Sequence, residues 1–210
     1  MKAKKKRPLG RPPLREKKKP TNVIILQAAT ELFLTNGFQD VSIDDVASKC
    51  NVTKATVYYY FESKAALFTE AMVQMMLFIC DHMEAMLSVN EPLKNRLYNV
   101  AEAHLQATFN IDLEGFVRET KNSLNKKQLQ QMQDSEEKMF NLLEQAFIDA
   151  IKANEIPEVN TKFAVHSYMA ILKVGNYRNS DKTSLFPTVE ETAENIINFF
   201  WNGLFQKQDE

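Results

Sequence analysis

The scarcity of residues that interrupt helices constrains the fold of this chain more than any other feature. Its 210 residues include only five glycines and seven prolines. Four prolines fall within residues 1–20, and Pro92, Pro157 and Pro187 lie between long uninterrupted segments. A β-protein of this size needs many more turn residues. We therefore predict an all-α fold with nine or ten helices.

Apolar residues recur with the helical period in these segments. The pattern is visible near residue 30, over 129–151 and over 193–204, as expected when one face of each helix packs on a core. No apolar run approaches the ~18–20 residues of a membrane span, and no apolar stretch follows the basic N-terminus as it does in a signal peptide. We expect a cytoplasmic protein with no membrane partner.

Charge divides the chain into three parts. Residues 1–20 hold 7 Lys and 3 Arg against one Glu, a net charge of +9, whereas residues 21–66 carry −2 and residues 67–210 carry −8. The first part has too few apolar residues to form a core, so we expect a disordered basic arm. The other two parts are predicted to be a small N-terminal domain and a larger C-terminal domain.

Residues 41–61 contain the densest local signal. Ser42 is placed to cap a helix, and Asp45, three residues later, completes a capping box. Asn51 can adopt the left-handed conformation that a tight turn requires, and Thr53 is placed to cap a second short helix. Two short helices joined by such a turn form a helix-turn-helix.

The second of these helices has an unusual outward face. At ~100° per residue, that face carries small, hydroxyl-bearing and aromatic residues instead of the charged groups of a solvated helix. Such groups contact phosphate oxygens and thymine methyl groups when a helix enters the major groove of DNA. The outward residues are Lys54, Ala55, Thr56, Tyr58 and Tyr59. The residues expected to face inward are Val57, Tyr60 and Phe61.

Residues 25–68 carry a longer pattern that is specific in order and spacing. Its elements are Ala28-Ala29, Leu32-Phe33, Gly37-Phe38, Ser42-Ile43, Val46-Ala47, Val52-Thr53-Lys54, Tyr58-Tyr59-Tyr60-Phe61, and Lys64 with Leu67-Phe68. This segment resembles the DNA-binding domain of the TetR family of bacterial transcriptional regulators. The resemblance implies base or phosphate contacts from Thr53, Lys54, Ala55, Thr56 and Tyr58. It also implies phosphate contacts from Ser42, Tyr59 and Lys64.

The basic arm complements this domain in charge. A domain of net charge −2 attracts DNA weakly, and neutralisation of phosphates dominates affinity for DNA. We expect the arm to supply that charge. Its segment 7–12 resembles the Gly-Arg-Pro core of an AT-hook, in which Arg7 and Arg11 lie in a narrow minor groove. A purely electrostatic arm is the favoured interpretation, and minor-groove binding is the alternative.

The resemblance implies that residues 67–210 form a helical domain for ligand binding and dimerisation. The segment from Met72 to Met86 is apolar on more than one face, as in a helix that is buried or lines a cavity. The candidate pocket residues are Met75, Phe78, Ile79, His82, His104, Phe109, Phe116 and Met132. The alternative is that these residues only fill the core.

Two C-terminal segments are candidates for a dimer interface. Residues 160–180 contain more apolar residues than one side of a helix can bury, and the resemblance implies that they pair with residues 188–206 in a four-helix bundle between two chains. The two DNA-binding domains of such a dimer then lie one turn of DNA apart, about 34–36 Å. A ligand that shifts their separation would change DNA affinity.

These observations predict a ligand-responsive transcriptional regulator, a repressor that binds a palindromic double-stranded DNA operator as a homodimer and is released by a small, apolar effector. An activator or an architectural protein dominated by the arm is one alternative, and a helical small-molecule-binding protein or enzyme is another. The sequence has no glycine-rich phosphate loop, nucleophile elbow or paired metal ligands. We therefore expect no enzyme activity, no cofactor and no metal.

Overall fold

The computed structural model describes residues 19–108, 123–181 and 183–205. Within these ranges the chain forms eight α-helices, and the β-structure is limited to one isolated bridge between Arg178 and Ser184. The all-α prediction is confirmed, although the helix count in these ranges is below the nine or ten predicted. The basic arm, with Arg7 and Arg11, lies outside the described residues apart from its last two.

The helices of the described ranges are numbered here in chain order. They are α1 (Thr21–Asp40), α2 (Ile43–Lys49), α3 (Lys54–Tyr60), α4 (Lys64–Leu87), α5 (Leu93–Thr108), α6 (Lys126–Lys152), α7 (Thr161–Gly175) and α8 (Val189–Phe205). Gly37 does not end α1, as glycines after a helix often do, but bends it: its φ of 81° lies in the left-handed region that glycine adopts without strain.

Buried side chains form two clusters. The N-terminal cluster extends from Ile25 to Met72 and also includes Leu124. The C-terminal cluster extends from Met83 to Phe200. Because α4 contributes to both clusters, the two predicted domains share one continuous helix. In the described ranges no single helix is long and apolar enough to cross a membrane, and only α3 with α4, bent by 64° at their junction, has the required length and composition.

Tyr168 fixes the packing of α7 at the centre of the C-terminal cluster. Its side chain is fully buried, and its hydroxyl donates a 2.7 Å hydrogen bond to the carbonyl of Leu97 on α5. Burial raises the pKa of Tyr168 because the phenolate loses its hydration. The ring packs edge-on against Phe200 of α8, with centroids 5.6 Å apart. One side chain therefore ties together three helices of the C-terminal domain.

Candidate nucleic-acid interface

The start of α2 is fixed by the predicted capping box. The Ser42 hydroxyl accepts a hydrogen bond from the Asp45 backbone N–H, and the Asp45 carboxylate accepts a 2.8 Å bond from the Ser42 N–H. The carboxylate also accepts a 2.6 Å bond from the Ser42 hydroxyl. These bonds to Ser42 lower the pKa of Asp45, because they favour its charged form. The geometry confirms the sequence-based assignment of this helix start.

The turn between α2 and α3 also follows the prediction. Asn51 adopts a left-handed conformation with φ 54°. Thr53 caps α3 by accepting a 3.1 Å hydrogen bond from the Thr56 N–H. Val57 is the only residue of α3 that is buried, so this helix rests on the N-terminal cluster through a single apolar side chain. Most of its remaining surface is available to a partner.

The tyrosines of α3 are all accessible. Tyr59 is 81% exposed, and Tyr58 is also at the surface. The expectation that Tyr60 packs inward is wrong, since it is 43% exposed and its ring stands nearly perpendicular to that of Tyr59, with centroids 5.0 Å apart. The cause is the end of the helix: Phe61 is extended, with φ −134°, and is buried in place of Tyr60.

Lys54 stands exposed at the start of α3, paired with a residue of α2. Its Nζ lies 2.5 Å from Asp44 Oδ2. The hydrogen bond and charge of Asp44 raise the pKa of Lys54 by favouring its protonated form. Lys54 is therefore placed beside the outward face but shares its charge with an acidic neighbour.

The side chain of Lys64 folds back onto the end of α1 instead of extending into solvent. Ser63 caps α4 by accepting a 3.1 Å hydrogen bond from the Ala66 N–H. The Nζ of Lys64 donates a 3.0 Å bond to the carbonyl of Gln39 and lies 4.5 Å from the centroid of the Phe38 ring. Burial lowers the pKa of Lys64. In this conformation the lysine holds the end of α1 against the start of α4.

The predicted pocket residues of α4 do not share one environment. Met75 packs against the N-terminal cluster, as does Met132 of α6. Phe78 is 62% exposed and its ring lies 4.0 Å from that of His82, which is also exposed. Ile79 is at the surface too. The helix is apolar on most sides, but only part of that surface is covered by the described residues.

The remaining predicted pocket residues lie further along the chain. His104 is partly buried on α5, and burial lowers its pKa because the imidazolium loses hydration. The hydroxyl of Thr108 lies 2.8 Å from the carbonyl of His104 and 3.1 Å from the side-chain oxygen of Asn176. Phe109 and Phe116 lie outside the described residues. None of the six described residues of the predicted pocket lines either of the two grooves described below.

Two grooves were not predicted from the sequence. The first, of about 500 Å³, lies between the start of α1, the junction of α3 and α4, and the start of α6. The second, of about 470 Å³, lies between α6 and α7 and contains the ring of His166 packed on Phe140. The capping pattern of Asn125 and Gln128 could have located the α6 wall of the first groove. Within the described ranges no group of three or more His, Cys, Asp or Glu residues is arranged to hold a metal ion.

The last two helices expose large apolar side chains. Phe163 on α7 is 64% exposed and Phe199 on α8 is 73% exposed. Val174 and Tyr177 extend this surface at the end of α7. A single exposed apolar residue is ordinary, but several on adjacent helices are typical of an interaction surface.

Comparison with known proteins gives a specific match for the N-terminal domain. Residues 25–71 match the family model described as bacterial regulatory proteins, tetR family. The transcriptional regulator UidR of Escherichia coli (strain K12) is 33% identical over 75 residues, which are 36% of this chain and 35% of UidR. The negative regulator of the biofilm operon icaADBC, IcaR of Staphylococcus aureus (strain Newman), is 34% identical over 47 residues, 22% of this chain and 25% of IcaR. The matched region spans about a third or less of these relatives.

Solved structures extend the similarity of fold over most of the chain. The regulator FadR from Bacillus subtilis, solved in complex with stearoyl-CoA, superposes with a TM-score of 0.70 at 18% identity, covering 87% of this chain and 98% of FadR. Reduced NemR of E. coli gives a TM-score of 0.70 at 16% identity, covering 88% and 97%. Residues 25–71 therefore match the tetR family of bacterial regulatory proteins, and the fold of most of the chain is that of these solved structures.

Proposed function

We propose that this chain is a ligand-responsive repressor that binds a palindromic DNA operator as a homodimer and releases it when a small apolar effector binds. The observation that carries the proposal is the outward face of α3. This helix is anchored through Val57, while Tyr59 is 81% exposed. A helix-turn-helix that presents such a face is suited to the major groove.

The proposed contacts divide by chemistry. Ala55 permits close approach of the backbone, and the hydroxyl groups of Thr56 and Tyr58 can bond to base edges or phosphates. Ser42 and Tyr59 are assigned to phosphates at the two sides of the groove. The Thr53 hydroxyl lies 2.8 Å from that of Thr56, so the two act as one polar unit. Lys54 and Lys64 complete the proposed set as cations.

The basic arm supplies most of the positive charge. The N-terminal domain has a net charge of −2, whereas residues 1–20 carry +9 directly before α1. Counterion release then makes the arm the main source of affinity that does not depend on sequence. Arg7 and Arg11 are proposed to follow the phosphates, with minor-groove insertion as the alternative.

The exposed apolar surface of α7 and α8 supports the proposed dimer. These helices correspond to the predicted segments 160–180 and 188–206. Phe163 and Phe199 would be removed from water if the two helices packed against those of a second chain, which is favourable in proportion to the area buried. A four-helix interface of this kind would place two reading domains on one face of the DNA.

The contact between α6 and the N-terminal domain offers a route for the effector to act. Leu124, just before α6, is buried in the N-terminal cluster. The hydroxyl of the neighbouring Ser123 accepts a 3.0 Å hydrogen bond from the side-chain amide of Gln39. The backbone carbonyl of Gln39 in turn accepts the hydrogen bond from Lys64. A shift at the start of α6 therefore reaches the end of α1 and one proposed phosphate contact. An effector that favours one position of α6 would shift the population of DNA-competent molecules.

Two relatives support the finer parts of the proposal. IcaR is named as a negative regulator, which favours repression over activation. The FadR of B. subtilis was solved with stearoyl-CoA, which favours an effector with a large apolar part. Both arguments are analogies between proteins that share a fold.

A matched pair of tyrosine variants tests the proposed interface. Fluorescence anisotropy would measure binding of the full chain to DNA from upstream of its own gene. Tyr59→Phe removes a hydroxyl assigned to a phosphate, and it should weaken binding about tenfold or more because hydrogen bonds to charged groups are strong. Tyr60→Phe removes the same group one residue later, where no contact is assigned, and should leave affinity unchanged. Equal effects of the two variants, or no DNA binding by the unaltered chain, would contradict the proposal.

A further inference from the structure

Gly203 is a glycine that the rest of its own chain does not require. It lies in the last turn of α8 and is exposed, although glycine is among the least favourable residues in a helix. Its φ is not positive, since Gly37 is the only glycine of the described ranges in the left-handed region. A Cβ atom built on Gly203 would meet no described atom within 4 Å. Neither backbone conformation nor packing against the described residues accounts for the missing side chain.

Gly175, the last residue of α7, is by contrast a glycine that packing within the chain explains. A Cβ atom at this position would lie 2.5 Å from Leu105 Cδ2 and 2.9 Å from Ile196 Cδ1. Gly175 therefore lets α7 approach α5 and α8 closely. Gly203 leaves a notch of the same kind on the outer surface of α8, so a group that fills this notch must come from another molecule.

Phe199 precedes the notch by one helical turn. Residues four apart lie on the same face of a helix. The ring of Phe199, 73% exposed, and the notch at Gly203 are therefore neighbours on the outer surface of α8. A projecting side chain beside a depression is the surface form that lets two helices interlock.

The start of α7 lies at the same end of the helix pair as the notch. Gly175 lies against Ile196, whereas Tyr168, two turns earlier in α7, packs against Phe200. Helices α7 and α8 are therefore antiparallel. Phe163, which is 64% exposed at the start of α7, continues in this direction towards the end of α8. Both helices thus expose an aromatic side chain at this end of the pair.

The exposed aromatic side chains of α7 and α8 account for a large part of the area that a dimer needs. Phe163, Phe199 and Tyr177 are 64%, 73% and 54% exposed. At ~150–250 Å² for each aromatic side chain, these three alone present roughly 300–500 Å². A stable interface buries about 800 Å² on each partner. They therefore supply about half of that area, and the surface that complements both the projection and the notch is an identical α8.

We propose that a second copy of this chain occupies the notch, with Phe199 of each α8 packed over Gly203 of the other. The contact is made twice, because a two-fold axis that pairs residue i with residue j also pairs j with i. The proposal rests on the proposed homodimer and names the contact that holds its two α8 helices together. Gly203 permits the close approach, and Phe199 supplies apolar surface that is buried there.

Sedimentation velocity of the full chain over a dilution series tests the notch. Gly203→Leu fills it with a side chain that no described residue of the same chain opposes, so the variant should fold, as circular dichroism would verify. The dissociation constant of the dimer should rise about tenfold or more, because an overfilled contact is disrupted. Ala103→Leu, a similar enlargement at an exposed position of α5, should leave that constant unchanged. An unaltered dissociation constant in Gly203→Leu would overturn the proposal.

A double-mutant cycle tests the pairing of Phe199 with Gly203. Phe199→Ala alone should weaken the dimer, because the ring no longer contributes buried apolar surface. In the Phe199→Ala background, Gly203→Leu should raise the dissociation constant much less than in the unaltered chain, because no ring has to enter the notch. Additive effects of the two substitutions would refute the contact.

The same measurements separate this contact from the proposed function. A dimeric unaltered chain in which the two substitutions act additively would overturn the contact between Phe199 and Gly203 and leave dimeric operator binding standing. A chain that stays monomeric at every concentration, with or without the upstream DNA, would overturn both proposals, and the exposed surface would then belong to a different partner.

Discussion

Asp44 is expected to restrain DNA affinity while supporting the fold. The Asp44 carboxylate lies 2.5 Å from Lys54 Nζ, and both side chains are exposed. To neutralise a phosphate, Lys54 must leave this carboxylate or share its charge with it. Asp44→Asn frees the lysine and changes the net charge of the N-terminal domain from −2 to −1. Asp44 also lies in the first turn of α2, where a negative charge favours the helix. The variant should therefore bind DNA more tightly and unfold more easily.

The magnitude follows from the exposure of the pair. Exposed ion pairs are weak, and release of one corresponds to roughly a 1.5- to 5-fold gain in affinity per reading domain, or about 2- to 25-fold when a dimer engages two half-sites. Lys54→Ala should act in the opposite direction and reduce the salt slope by about 1 per domain. In the Lys54→Ala background most of the gain from Asp44→Asn should disappear, because the two changes act on one interaction.

The assay is fluorescence anisotropy with the upstream DNA over a series of salt concentrations, paired with urea unfolding of each variant. Glu91→Gln removes an exposed acidic charge away from α3 and serves as the control for net charge. A full gain from Asp44→Asn in the Lys54→Ala background would show that only long-range charge is involved. A loss of affinity in Asp44→Asn alone would refute the assigned role of Lys54.

Three further predictions address the arm and the C-terminal domain. Removal of residues 2–19 should weaken DNA binding and flatten its salt dependence, and an unchanged salt slope would contradict the role of the arm. His104→Gln should reduce the loss of thermal stability as pH falls below ~6.5, because burial lowers the folded-state pKa of His104 and the unfolded chain binds the proton first; the same pH dependence in His104→Gln and the unaltered chain would contradict this. Tyr168→Phe should cost about 1 kcal/mol in urea unfolding through loss of the bond to Leu97 and leave DNA affinity unchanged; a cost near zero would contradict the role of that bond.

Local features of the N-terminal domain were predictable from the sequence. The capping box at Ser42, the cap at Thr53 and the cap at Ser63 each involve residues three apart. The turn at Asn51 depends on its own backbone conformation. Interactions of this range are fixed by residue type and spacing, so the pattern in the sequence was sufficient to place them.

Features that depend on distant residues were not predictable in this way. The bond between Gln39 and Ser123 joins residues 84 positions apart, and no periodicity indicates that Leu124 is buried among residues of α1 to α4. The position of Lys64 depends on the carbonyl of Gln39 and hence on the bend of α1. Tyr60 was misassigned because α3 ends at this residue, where the angular period no longer applies.

The predicted pocket residues of α4 show a second kind of feature that the sequence alone does not determine. The middle of α4 is apolar on several faces, so its periodicity does not identify which face is covered. Met75 packs against the N-terminal cluster, whereas Phe78 and His82 of the same helix are exposed. Only the packing of α4 against its neighbours distinguishes these positions.

Hydroxyl-radical footprinting of the full chain on DNA from upstream of its gene tests the central claim most directly. If two copies of α3 enter adjacent major grooves, the protected regions should form two symmetric half-sites whose centres lie about 10–10.5 base pairs, or a multiple of that spacing, apart. Tyr59→Phe should weaken both half-sites together. Diffuse protection without symmetry, or symmetric protection that Tyr59→Phe leaves unchanged, would contradict a dimeric regulator that reads DNA through α3.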